Sequence, residues 1–142
     1  MSLEQDVQTV RNVYEYFNAH KSDELMALIR DDFELVDMAF GVTRKGKRGW
    51  SEWLQTWVVA MPDAALELMT ITPTLDRIAT EHILRGTHAG TLATPLGTLA
   101  STGKRIELNF ANVYLIKQGK IRLLRVYWDT GTVARQLGLV QG

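Results

Sequence analysis

The hydrophobic period of this chain changes near its middle, and that change excludes most architectures. Before Pro62, apolar residues recur at helical spacing, with Val7, Val10, Val13, Tyr14 and Phe17 on one face from Leu3 to about His20. Trp50, Trp53, Leu54 and Trp57 repeat the pattern in a helix that stops near Pro62. Beyond Ala65 the pattern alternates, as half-buried strands do. Helices followed by a run of strands predict an α+β fold, in which a cone-shaped curved antiparallel sheet carries the N-terminal helices across its concave face. The open end of such a cone is a natural ligand cleft.

The shorter elements follow from local signals. Ser22-Asp23-Glu24 reads as a helix start, with Leu25, Leu28 and Ile29 as its buried stripe and Asp31-Asp32 as its end. Phe33 to Phe40 reads as a strand before a turn-rich stretch from Gly41 to Gly49. Ala65 to Thr74, Asp76 to Thr87, Ile106 to Ile116 and Ile121 to Trp128 are the later strands, the last two joined by the hairpin Lys117-Gln118-Gly119-Lys120. Gly90 to Gly103 reads as a long loop, and Asp129 to Leu137 as a closing helix with Gly138 as its stop. With 142 residues, the chain is one domain spanning 1–142.

Composition narrows the chemistry. The chain contains no cysteine, which excludes disulfides, thiolate metal sites and a cysteine nucleophile, and suits a cytoplasmic location. Lys plus Arg and Asp plus Glu balance at 16 each, so no global field gathers nucleic acid or an anionic membrane. The cluster Arg44-Lys45-Gly46-Lys47-Arg48 reads as a solvated turn. No apolar run is long enough for a span, and the acidic start Met1-Ser2-Leu3-Glu4-Gln5-Asp6 is unlike a signal peptide. The three histidines lack the spacing or acidic companions of a metal site. No metal, nucleic acid or membrane partner is therefore expected.

Alternation selects the candidate site. In Ile106 to Ile116 it places Leu108, Phe110, Asn112 and Tyr114 on the inward face; in Asp76 to Thr87 it places Ile78, Thr80, His82, Leu84 and Gly86 there. Pairing of these strands brings His82 near Phe110 and Asn112, an imidazole beside an amide that would serve as base and enolate donor. A packed neutral His and an internally bonded Asn are the bland readings. Glu81 and Arg85 take the outer face, as a solvated or dimer-facing surface. Phe17, Trp53, Trp57 and Trp128 are expected as an aromatic lining, although such stripes are core more often than ligand platforms. His88 either reaches the cleft or bonds loop backbone. Asp37, in a mostly apolar segment near the opening, reads as a strand-end carboxylate facing water. Asp129 reads as the N-cap of the last helix.

Several short motifs, in order, resemble the SnoaL-like polyketide cyclases and related ester cyclases of the nuclear-transport-factor-like superfamily. They are Val10-Arg11, Phe17-Asn18, Asp31-Asp32-Phe33, Pro62-Asp63, Gly86-Thr87-His88-Ala89-Gly90, Thr102-Gly103-Lys104, Gly119-Lys120-Ile121, Trp128-Asp129 and Arg135-Gln136-Leu137-Gly138. The resemblance implies a cofactor-independent cyclase, isomerase or hydrolase acting on a small hydrophobic, polyketide-like carbonyl compound. Such enzymes close a ring by an intramolecular aldol reaction. The family's acid/base Asp on the last strand corresponds to Val126, and a His of the preceding strand to Asn112; the final Asp is Asp129. The resemblance also implies a homodimer. The substitution at Val126 favours the alternative of a non-catalytic protein that binds a small hydrophobic ligand, and an accessory or dimerisation domain is a third reading.

Overall fold

A computed structural model describes residues 2–139; Met1 and residues 140–142, included in the one-domain reading, lie outside the described residues. In chain order the elements are α1 (Leu3–Asn18), α2 (Ser22–Met26), β1 (Ile29–Asp37), β2 (Val42–Lys45), α3 (Gly46–Ala60), β3 (Ala65–Pro73), β4 (Arg77–Thr87), β5 (Leu92–Thr94), β6 (Gly97–Leu99), β7 (Arg105–Lys117), β8 (Lys120–Tyr127) and α4 (Thr130–Gln136). Six strands form one sheet in the order β2-β1-β8-β7-β4-β3, and β5 and β6 form a separate hairpin.

The sheet is antiparallel except at one seam, where β1 lies parallel to β8. Register shifts interrupt the β1–β8, β3–β4 and β7–β8 ladders. An extra residue on one strand bends it and increases local twist, so these irregularities curl the sheet into a cone. The helices fill the concavity, and Val10, Val13 and Tyr14 of α1 and Trp50 and Trp57 of α3 join the buried core with Phe33, Leu35, Leu108 and Phe110.

The expected elements are present with four adjustments. Ile29 is not part of the second helix: α2 ends at Met26, and β1 begins at Ile29 and runs through Asp31-Asp32. The chain thus turns directly into the strand whose partner is β8. The turn-rich stretch contains the four-residue β2, paired with β1 from Glu34↔Lys45 to Asp37↔Val42. Helix α3 starts at Gly46 rather than Trp50, because its first turn is polar and lies off the apolar stripe. The expected loop from Gly90 to Gly103 holds the β5–β6 hairpin, paired from Leu92↔Leu99 to Thr94↔Gly97.

The motif residues staple these elements together. Asn18 bonds both backbone groups of Leu66, its Nδ2 donating to the carbonyl and its Oδ1 accepting from the amide at 2.8 Å each. Gln136 holds the backbone of Glu107 in the same way, at 2.9 and 2.7 Å. Asp63 accepts from the Thr87 amide at 2.7 Å and its hydroxyl at 3.0 Å, tying the end of α3 to the end of β4. Asp129 caps α4, accepting from Gly131 N–H and Thr132 Oγ1 at 3.0 Å each, as its sequence context predicts.

Candidate active site

Between the helices and the sheet lies a narrow cavity of about 40 Å³, room for a few atoms in the described conformation. Its helical wall comprises Val13, Tyr14 and Phe17 from α1, Leu25 from α2, and Trp50, Trp53, Leu54 and Trp57 from α3. The sheet contributes Leu66, His82, Leu84, Phe110, Asn112, Tyr114 and Leu124. A second recess of about 190 Å³ lies beyond Trp53 and Trp57, bordered by Asp37, Phe40, Arg44 and the hairpin residues Ala93, Thr94 and Pro95. The two indoles line both spaces and form the partition between them.

Alternation positions the polar side chains. Burial along β4 and β7 follows the pleat, so Thr80 and His82 of β4 and Asn112 and Tyr114 of β7 face inward while Glu81 and Glu107 face out. Register sets His82 opposite Phe110 and Thr80 opposite Asn112. The His82 ring stacks on Phe110 with centroids 5.0 Å apart and planes 10° apart. Tyr14 reaches down from α1 as the hub of a buried network. Its hydroxyl lies 2.7 Å from Thr80 Oγ1, 2.9 Å from the Tyr114 hydroxyl and 3.2 Å from His82 Nδ1. Asn112 Nδ2 donates to the Tyr114 hydroxyl at 3.2 Å.

Electrostatics follow from burial. His82 is 5 % exposed, and desolvation lowers its pKa from 6.5 to about 4, so it is neutral at physiological pH. Desolvation and the neighbouring Tyr114 raise the Tyr14 pKa well above its ordinary value; burial also raises that of Tyr114. Both phenols therefore keep their protons. Three buried polar atoms on lining residues have no hydrogen-bond partner: Asn112 Oδ1, Trp50 Nε1 and Trp57 Nε1. Each unsatisfied group costs about 1–3 kcal/mol unless something in the cavity completes it.

Of the residues singled out from sequence, Phe17, Trp53, Trp57, His82, Phe110, Asn112 and Tyr114 line the cavity. Four others do not. Asp37 is fully buried rather than facing water, because four N–H groups converge on its carboxylate. Its Oδ1 accepts from the amides of Ala39 and Phe40 and from Trp128 Nε1, all at 3.0 Å; its Oδ2 accepts from Trp53 Nε1 at 3.1 Å. Trp128 stacks behind Phe110 and borders an outer groove with α4 and the hairpin. His88 is held away from the cavity, its Nδ1 3.0 Å from Thr102 Oγ1 where the end of β4 meets the 102–104 turn. Val126 is buried beside Asn112 in the sheet but does not reach the cavity, where Leu124 takes the lining position. Sequence reasoning missed Tyr14 and Thr80 as site residues. The available signal was a tyrosine on an apolar helix face, whose hydroxyl needs a partner when buried.

Among the described residues, no group of three or more His, Cys, Asp or Glu is placed to hold a metal ion, and no helix is long and apolar enough to cross a membrane. The curved sheet closed over helices defines the class: an α+β cone of the nuclear-transport-factor and ketosteroid-isomerase type. Within it, the chain belongs to the SnoaL-like polyketide cyclase family, whose sequence profile matches residues 7–137. Solved structures agree on the fold. IdmH from Streptomyces antibioticus, provisionally assigned as a polyketide cyclase, is 27% identical with a TM-score of 0.79, over 94% of this chain and 99% of its own. A SnoaL-like protein from Jannaschia sp. CCS1 superposes with a TM-score of 0.85 at 14% identity, over 97% of this chain and 94% of its own. AclR from Streptomyces galilaeus, provisionally assigned as a hydroxylase, gives 0.84 at 16% identity, over 99% and 85%. No curated protein matches the chain.

Proposed function

We propose that this chain is a cofactor-independent enzyme of the cyclase, isomerase or hydrolase type, acting on a small hydrophobic, polyketide-like carbonyl compound. The observation that carries this reading is the polar network of Tyr14, Thr80, His82, Asn112 and Tyr114 in an otherwise apolar, aromatic cavity. His82 and Asn112 are the working pair. A neutral imidazole and an amide in a low-dielectric site can exchange a proton with a carbon acid and stabilise the enolate oxygen that develops. The lowered basicity of His82 weakens it as a general base and suits the transient form of such a cycle, since the proton it takes is readily returned. Displacement of the Trp53–Trp57 partition joins the cavity to the outer recess and makes the room a ligand needs.

The test is turnover of aromatic β-ketoester and polyketide-type substrates by the wild type, by His82→Ala and by Asn112→Ala. Each substitution is expected to lower kcat/KM at least 100-fold, the usual order for removing an acid/base group or an oxyanion donor. Undiminished turnover in both variants contradicts the assignment.

Val126 favours a second reading, a binding protein that takes up the same class of molecule and releases it unchanged. Among the described residues lining the two spaces, the one carboxylate is that of Asp37, and its oxygens are engaged by four N–H donors. Saturable binding with unaltered ligand recovered from the wild type distinguishes this reading. A homodimer in the cytoplasm, with the outer face carrying Glu81 and Arg85 as the interface, completes the proposal.

A further inference from the structure

The buried network constrains its own protons. It has four contacts: Asn112 to Tyr114, Tyr114 to Tyr14, Tyr14 to Thr80, and Tyr14 to His82 Nδ1. Each contact needs one proton between its two heavy atoms. With Asn112 Nδ2 on Tyr114, the amide supplies one proton and the three hydroxyls supply three. The count is then complete. Asn112 donates to Tyr114, Tyr114 to Tyr14, Thr80 to Tyr14, and Tyr14 to His82 Nδ1. A proton on Nδ1 would be a fifth, leaving a buried hydroxyl hydrogen without an acceptor. His82 therefore carries its proton on Nε2.

Rotation of the Asn112 amide by half a turn reverses this result. Oδ1 then accepts from Tyr114, the three hydroxyls fill three contacts, and the fourth requires a proton on His82 Nδ1. Nε2 is left with a free lone pair. In the described arrangement the buried Oδ1 is the unpaired atom of the amide, so the amide has an unmet acceptor on its far side. After rotation it has a free N–H there.

We infer that the orientation of the Asn112 amide sets the tautomer of His82 through the Tyr114–Tyr14 relay, so that a ligand carbonyl accepting from the amide N–H converts His82 from a proton donor into a base. The inference rests on His82 as the working group of the proposed function. Asn112, Tyr114 and Tyr14 act here as positioning residues, and base and enolate donor arise together from one rotation. The site holds its base in reserve until a carbonyl oxygen occupies the donor position. A ligand that offers only a hydroxyl to Oδ1 leaves the imidazole in its donor form.

The tautomer is read directly by two-bond proton–nitrogen correlation on protein labelled with ¹⁵N-histidine, at neutral pH where burial keeps His82 uncharged. Loss of one signal set in His82→Gln assigns it among the three histidines. Wild type is expected to show the proton on Nε2; a proton on Nδ1 overturns the inference. In Asn112→Asp, an ionised carboxylate can only accept, so the proton is expected to move to Nδ1 in step with ionisation of the introduced carboxyl. An unchanged tautomer through that titration overturns the inference. Adding Tyr114→Phe to Asn112→Asp cuts the relay, and the proton is expected to return to Nε2; its staying on Nδ1 would show a direct effect and equally overturn it. These readouts are nitrogen shifts, so they stand or fall separately from turnover. If the network behaves as inferred while His82→Ala retains full activity, only the catalytic reading fails.

Discussion

Burial lowers the His82 pKa from 6.5 to about 4, while an unfolded chain keeps the ordinary value. Between those values the unfolded state binds the extra proton, so stability contributed by the neutral ring is complete above 6.5 and is lost as pH falls towards 4. At about 1.4 kcal/mol per pH unit, that window is worth roughly 3 kcal/mol. Urea melts at several pH values are expected to show the loss, and His82→Leu is expected to flatten it within this window; an unchanged slope contradicts the burial argument. His82 and Asn112 were legible in sequence because alternation along two long strands leaves only one inward face. Tyr14 was not, since its partners lie 66, 68 and 100 positions away. Asp37 was misread for the same reason: half of its donors are indoles of α3 and β8's exit, and no local pattern announces them.

At the scale of elements, Asn18, Asp63 and Gln136 of the motifs that carry the family resemblance join secondary structures, while Phe17 of the same set lines the cavity. Gly90 shows why one motif residue is glycine. A Cβ there would lie 2.0 Å from the Val59 carbonyl oxygen, where the chain after β4 crosses the end of α3 and Gly90 N–H donates to Ala60 at 3.0 Å. Gly90→Ala must push backbone from backbone and is expected to cost more than about 2 kcal/mol, measured as a drop in thermal or urea midpoint. A midpoint within experimental error of wild type contradicts this packing. Long periodic elements were legible, including α1, β4 and β7. Their short neighbours were not, because β2 spans four residues and β5 and β6 three each, too few for a period to emerge above their Gly, Thr and Pro content.

For the whole molecule, the outer sheet face is charged and interlocked, with Arg85 paired to Glu67 at 2.6 Å and to Glu107 at 3.4 Å. If that face is the proposed homodimer interface, sedimentation at micromolar concentration gives twice the 16.0 kDa chain mass, and Arg85→Glu shifts the population towards monomer. A wild-type monomer removes the proposal. The parallel seam has a different consequence. Strand β1, formed by residue 37, finds its central partner only in β8, at residues 120–127. During synthesis, therefore, the first strand waits for most of the polypeptide with one edge unpaired, its inward Phe33 and Leu35 uncovered on that side, and the cone cannot shut until the last strand leaves the ribosome. Contacts this distant in sequence make closure slow and late, and a nascent chain stopped before Lys120 is expected to stay protease-sensitive and prone to association through the waiting edge.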